Sequence, residues 1–253
     1  MVRTSKKKRR WPRLVLVLGG ALLAVAGRSS GPSHRGPPGP RGVPGETALM
    51  TCRRAQAQAE GRAYRLRWKP VPLSRISPTL VLAVLIAEDD KFYGHEGFDF
   101  AAMKEALAKN VQRGKVLRGG STISQQLAKN LFLSASQTLG RKVREAVITV
   151  WLEWKLPKRR ILELYLNVIE WGDGVFGIEA AARRYYGKPA SALSSGEAIR
   201  LASVLPNPHR FSVIGNDNRR MNRKRRLLAK RMAARGAISA GEAAALIAEF
   251  GGK

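Results

Sequence analysis

Residues 77–87 read Ser77-Pro78-Thr79-Leu80-Val81-Leu82-Ala83-Val84-Leu85-Ile86-Ala87, and Glu88-Asp89-Asp90-Lys91-Phe92-Tyr93-Gly94-His95-Glu96-Gly97-Phe98-Asp99 follow. Ser77 stands at a helix N-cap and Pro78 at the first helical position, where its fixed φ and missing N–H do no harm. The apolar stretch Leu80–Ala87 makes this a buried helix. Its end is odd: three carboxylates follow directly, although the negative end of a helix dipole disfavours anions. Something must offset that cost. A carboxylate at the border of apolar helix and polar loop is also partly desolvated, which raises its pKa toward that of a useful general base. A solvated acidic helix end is the plainer reading of the same residues.

Outward from this stretch the chain reads as helical from about Thr47 onward. Asp99 caps a second helix running to about Arg113, and Gly119-Gly120-Ser121-Thr122 opens a third through Leu131. Thr138 or Gly140 starts a long fourth to about Leu156, Pro157 stops it, and Lys158 to Ile169 makes a fifth. Gly172-Asp173-Gly174 is a tight turn before a helix from Ile178 to Tyr186. Ser195 to Leu205, Asn218 to Arg235 and Ala240 to Phe250 complete the series. Alternating strand patterns are nearly absent, so residues 47–253 are expected to form one mainly α domain.

Two segments precede it. In residues 1–27, Lys6-Lys7-Lys8-Arg9-Arg10 stand before Leu14 to Ala26, a run free of charge. Cations before an apolar run keep the N-terminus cytoplasmic and send the rest across the membrane. The run has 13 residues, where a spanning helix needs about 20, and Ala24-Val25-Ala26 fits a small-x-small cleavage site. A signal anchor is the favoured expectation and a cleaved signal the alternative. Residues 28–46 are rich in Gly and Pro without apolar periodicity, which is a linker.

The 253 residues are 44% hydrophobic and 25% charged, which excludes wholesale disorder. The balance of 46 Lys and Arg against 18 Asp and Glu gives a net charge of +28. That excess must meet a polyanion or an anionic surface, such as nucleic acid, membrane or a phosphate-rich substrate. The single cysteine, Cys52, excludes an intramolecular disulfide, and three scattered histidines (His34, His95, His209) argue against a dedicated zinc site.

Two further segments carry chemistry. Gly119-Gly120-Ser121-Thr122-Ile123-Ser124-Gln125-Gln126-Leu127-Ala128-Lys129-Asn130 feeds glycines and hydroxyls into a helix N-terminus, a ready anion site. Gln126, Lys129 and Asn130 continue one polar face from it. In Arg141-Lys142-Val143-Arg144-Glu145, two cations share a helix face with a carboxylate. A capped surface helix and a salt-bridged exposed face are the bland counterparts. Taken together, the segments hold the parts needed to move a sugar off a phosphate leaving group.

These segments, with Lys158-Arg159-Arg160-Ile161-Leu162-Glu163-Leu164-Tyr165-Leu166-Asn167 and the block from Phe176-Gly177-Ile178-Glu179 to Tyr185-Tyr186-Gly187-Lys188, resemble the signature blocks of glycosyltransferase family 51. The resemblance implies a lysozyme-like, mainly α fold with a membrane-facing apolar subdomain. It also implies polymerisation of lipid II into β-1,4-linked glycan strands with inversion and release of undecaprenyl diphosphate. On that likeness Glu88 is the general base, and Glu145 organises the donor's diphosphate-sugar region. Lys129, Arg141 and Lys142 match cations near the diphosphate, while Phe92, His95, Ser121, Thr122, Gln126 and Asn130 match residues of the cleft. Tyr165 lies in a helix that supports the site. No cofactor is required by the likeness, beyond a divalent cation (Mg or Mn) compatible with the diphosphate. The implied partners are lipid II, the growing strand, anionic membrane lipids and cell-wall synthesis or division proteins. The implied place is the bacterial inner membrane, with the catalytic domain on the periplasmic side.

One departure stands out. Many members carry an arginine eight residues before the second glutamate, and Gln137 stands there in this chain. Either Arg141 and Arg144 compensate, or the donor site is weaker. The only Ser-x-x-Lys, Ser5 to Lys8, lies in the basic tail, so no transpeptidase is expected. Two rival readings remain on the residues alone. One is a lysozyme-type hydrolase, which also places a glutamate at a helix end. The other is a nucleic-acid binder that uses Arg219, Arg220, Arg223, Lys224, Arg225, Arg226, Lys230, Arg231 and Arg235. Neither rival explains an export signal together with cations gathered near two glutamates.

Overall fold

The computed structural model describes residue 42 and residues 45–112, 120–133, 138–215 and 218–251. The run from Leu14 to Ala26 and Gln137 lie outside them. Among the described residues there are ten α-helices and three short strands. In chain order these are α1 (Ala48–Ala59), β1 (Arg67–Trp68), α2 (Pro78–Glu88), α3 (Phe100–Gln112), α4 (Ile123–Phe132) and α5 (Leu139–Lys155). They continue with α6 (Lys158–Val168), β2 (Glu170–Gly172), β3 (Val175–Phe176), α7 (Ile178–Tyr186), α8 (Ser195–Val204), α9 (Arg219–Ala233) and α10 (Ala240–Glu249). The mainly helical class is as the sequence reads.

The helix starts follow from side-chain chemistry. Thr122 caps α4, its hydroxyl accepting from Gln125 N, while the Gln125 side chain accepts the Thr122 N–H in return. Such a reciprocal cap satisfies two of the donors a helix start would otherwise orphan. Thr138 caps α5 through Arg141 N, which settles that helix's start in favour of Thr138 over Gly140. Asn218 caps α9 through Met221 N. Ser77 differs from expectation: it occupies the cap position of α2, but its hydroxyl donates across the fold to Leu193 O.

Helix α4 runs through the middle of the core and packs on α1, α5 and α6. Helix α2 packs on α8 and α9, and α10 lies on α9. Leu80, Val84, Leu127, Leu152, Ile161, Leu162 and Ile199 are fully or almost fully buried between these layers. The strands form a sheet in the order β1-β3-β2, with β1 parallel and β2 antiparallel to β3. They escape the sequence reading because runs of two or three residues are too short to alternate, and β2 and β3 are buried throughout. Gly172-Asp173-Gly174 is the turn of this hairpin, as expected. Helix α3 contrasts with the rest. Phe100, Leu107 and Val111 are largely exposed on it, as is Leu139 at the start of α5.

Candidate active site

Helix α2 ends at Glu88, and the Asp89 N–H closes its last turn on Leu85 O at 2.8 Å. The carboxylates that follow are not left against the negative end of α2. Asp89 is buried, and its Oδ2 accepts the Ile123 N–H at 3.0 Å, at the positive end of α4. Its Oδ1 lies 2.9 Å from His95 Nε2. Asp90 pairs with Arg235 at 2.5 Å. The cost at one helix end is thus met by the dipole of another and by two basic side chains. Asp89 thereby fixes α2 to α4 at the point where Glu88 emerges.

Glu88 itself is only partly exposed. Its Oε2 accepts from Gln126 Nε2 at 3.1 Å, and Gln126 Oε1 accepts from the Tyr165 hydroxyl at 3.1 Å. Its Oε1 is buried and has no hydrogen-bond partner among the described residues. Desolvation raises the Glu88 pKa, and the Lys224 charge, the Gln126 hydrogen bond and Lys129 pull partly against it. A carboxylate with one bonded oxygen and one unsatisfied oxygen, its pKa pushed up by burial, is equipped to accept a proton.

Beside it lies a cluster of cations around a second carboxylate. Glu145 is buried on α5 and accepts from Arg141 Nη1 at 2.7 Å and from Lys142 Nζ. Lys142 Nζ also reaches Ser121 Oγ at 3.4 Å, bringing α5 to the loop before α4. Lys129 keeps a solvent-exposed surface, yet the protein packed round it lowers its pKa. Glu145 and Glu88 counter that shift, while Arg141 and Lys142 reinforce it. Ser121 joins the two groups, since its carbonyl lies 3.5 Å from Gln126 Nε2, the partner of Glu88, and its hydroxyl 3.4 Å from Lys142 Nζ. Three cations around one carboxylate leave a positive surplus suited to an anion.

The other expected residues are placed differently. Phe92 is buried in the core under the Lys158 ammonium, 4.4 Å from the ring centroid. Thr122 is buried and committed to its cap and to Gly97 O at 2.6 Å. Both stand behind the site rather than in it. His95 is held by Asp89 and packs edge-on against Phe92, and Asn130 is buried on α4. Gly97 explains part of this crowding. Its φ is +90°, and a Cβ there would meet Thr149 Cγ2 at 2.9 Å, so a side chain would push the loop off α5.

Both Glu145 carboxylate oxygens are paired, one with Arg141 and one with Lys142. Glu170, Asp173 and His209 lie close enough to share an ion, but Arg53 and Arg62 already pair with those two carboxylates. The basic helix α9 is likewise no single phosphate-binding face. Arg225 is fully buried with its Nε toward Ser203 Oγ, and Arg226 donates to Phe250 O. Arg235 is paired with Asp90.

Sequence reading missed Lys224, which counted only as one more cation of α9. Packing of α9 on α2 brings its charge to bear on Glu88, where it opposes the rise from desolvation, while its Nζ also donates to Ser203 O at 3.0 Å. No local pattern signals this, since the two residues lie far apart in the chain. Removing that charge with Lys224→Met should raise the Glu88 pKa further. The acid limb of the activity profile should then move to higher pH, with activity recovering in alkaline buffer. A pH–rate profile of the variant checks this.

The fold and site define a helical protein that sets a carboxylate with an unsatisfied oxygen close to a cluster of cations. The transglycosylase family profile matches residues 56–233, and the chain belongs to that family. The chain is similar to the biosynthetic peptidoglycan transglycosylase of Laribacter hongkongensis, at 51% identity over 75% of this chain and 82% of that one. It is also similar to the proteins of the same name from Azoarcus sp., at 56% identity over 66% and 73%, and from Nitrosospira multiformis, at 52% over 74% and 79%.

Proposed function

We propose that this chain polymerises lipid II into β-1,4-linked glycan strands. The names of its relatives give the substrate class, and the two-glutamate site supports the chemistry. The observation that carries the reading is Ser121, which meets Gln126, the partner of Glu88, at its carbonyl and Lys142 of the Arg141–Lys142–Glu145 cluster at its hydroxyl. Glu88 Oε1 takes the proton from the 4-hydroxyl of the acceptor's terminal N-acetylglucosamine, and that oxygen attacks the donor's anomeric carbon from the face opposite the diphosphate. The bond to undecaprenyl diphosphate breaks as the glycosidic bond forms, which inverts the configuration. Lys129, Arg141 and Lys142 meet the charge that builds on the departing diphosphate, where prealigned cations favour the transition state over the ground state. Ser121 and Gln126 border the same region. Glu145 keeps Arg141 and Lys142 aimed at it.

The enzyme acts at the cell envelope. In our reading residues 1–27 hold it on the inner membrane, with the catalytic domain outside the cytoplasm. Among the described residues no helix is long and apolar enough to cross a membrane, so that attachment rests on the Leu14–Ala26 run. Phe100, Leu107, Val111 and Leu139 offer apolar side chains to the same lipid surface, and the net charge of +28 suits anionic headgroups.

Incubation of the full chain with labelled lipid II, with products resolved by glycan length, tests the reading. A ladder of lengthening strands is expected. Shortening of a preformed glycan without any ladder would mean a hydrolase instead.

A further inference from the structure

The core holds a buried phenol that the chemistry above does not use. We propose that Tyr165 is a positioning residue that fixes the direction of the Gln126 amide and so favours the proton-accepting form of Glu88. The inference rests on the reading of Glu88 as the base.

Tyr165 is buried on α6, and its hydroxyl donates to Gln126 Oε1 at 3.1 Å. On the far side of the amide, Gln126 Nε2 donates to Glu88 Oε2 at 3.1 Å. The three groups form a chain in which every proton points toward the carboxylate. Turning the amide over would put Oε1 against Glu88, an acceptor to which only a protonated carboxyl can donate. It would also put Nε2 against Tyr165, so the phenol O–H would lose its acceptor inside the core. A buried donor without an acceptor is costly, and that cost opposes the flip. The phenol stays a donor, since burial and the nearby charges of Glu88 and Asp89 hold its pKa well above the usual tyrosine value. Tyr165 therefore biases the amide toward the direction that stabilises ionised Glu88.

Other groups act on Glu88 as well: Lys224 from α9, Lys129 from α4 and Asp89 in the next position. Arg231 donates to Ile86 O two residues back, and Arg235 pairs with Asp90. None of these touches the amide, whose Nε2 also donates to Ser121 O at 3.5 Å. Among the side chains, it is Tyr165 that bears on the amide's direction.

The test compares pH profiles of kcat/KM for lipid II polymerisation by the full chain and three variants: Tyr165→Phe, Gln126→Ala and the double variant. Tyr165→Phe should move the acid limb up by about one pH unit, a roughly tenfold loss on that limb that recovers at high pH. The same change in the Gln126→Ala background should move nothing further. An even loss at every pH would assign Tyr165 to packing and overturn the proposal. A shift that persists without Gln126 would overturn it too, because the hydroxyl would then act without the amide. A fluorinated tyrosine at position 165, a stronger donor of nearly the same shape, should move the limb down and serves if the phenylalanine variant folds poorly. Polymerisation by Glu88→Gln would instead sink the base assignment and is read separately.

Discussion

Glu88→Gln is expected to abolish strand synthesis while leaving a folded, fully helical protein. The substitution keeps the volume of the side chain and the contact with Gln126, but it removes the only group at that position able to take a proton. General bases contribute roughly a hundred- to ten-thousandfold to rate, so the residual activity should fall below detection in a gel assay. Stability should move the other way. The folded-state pKa of Glu88 is raised by desolvation, so the fold favours the protonated form. Stability from that preference is complete below the unfolded pKa and is lost as pH rises through the folded one. Toward alkaline pH the wild type therefore comes to carry an ionised, poorly solvated carboxylate that the amide lacks. The variant should melt at least as high as the wild type at pH 8, and this advantage should shrink on acidification. Melting curves at two pH values, beside the polymerisation gel, check both halves. A dead variant that is also unfolded would leave the loss of activity without a chemical meaning.

That pairing shows why the site was half legible in the sequence. Glu88 betrays itself locally, because three carboxylates after Leu80–Ala87 violate the helix dipole, and a violation asks for a cause. The cause was not legible: Asp89 reaches Ile123 across 34 positions, and no spacing rule covers that distance. Thr122, Thr138, Asn218 and Pro157 could all be read as helix boundaries because capping is chemistry between near neighbours. The strands could not be read, since β1 and β3 are two residues each and are joined only through tertiary pairing. Lys224 shows the same limit in the site. In the sequence it is one of nine cations on a basic helix, and only the packing of α9 on α2 gives it a task. Phe92 and Thr122 show the reverse, for their place in a signature block marks them without saying whether they touch a ligand or hold up what does.

Glu153→Ala is expected to be the most damaging change to stability, with little effect on the chemistry. Like Glu88 it is a glutamate within the helical core, but its environment is the opposite. It is almost wholly buried on α5 and accepts from Ser124 Oγ at 2.5 Å and from Lys158 Nζ at 2.6 Å. Those bonds tie α5 to the first turn of α4 and to the start of α6. Truncation takes the carboxylate away from a lysine ammonium that is itself nearly buried. Breaking one partner of such a buried pair costs about 3–5 kcal/mol, and here it removes the carboxylate that Ser124 and Lys158 share. For a domain of this size, each kcal/mol lowers the melting temperature by roughly 2–4 °C, so a fall of about 10 °C follows. Assayed at 20 °C, where the variant is still folded, the acid limb of its pH–rate profile should coincide with that of the wild type. A shifted limb would mean that Glu153 acts on Glu88, whereas an unchanged melting point would mean that Lys158 has other support. The contrast separates two glutamates by one criterion: Glu153 has its carboxylate tied to neighbours, while Glu88 keeps an oxygen unsatisfied, and only the unsatisfied one is poised to receive a proton.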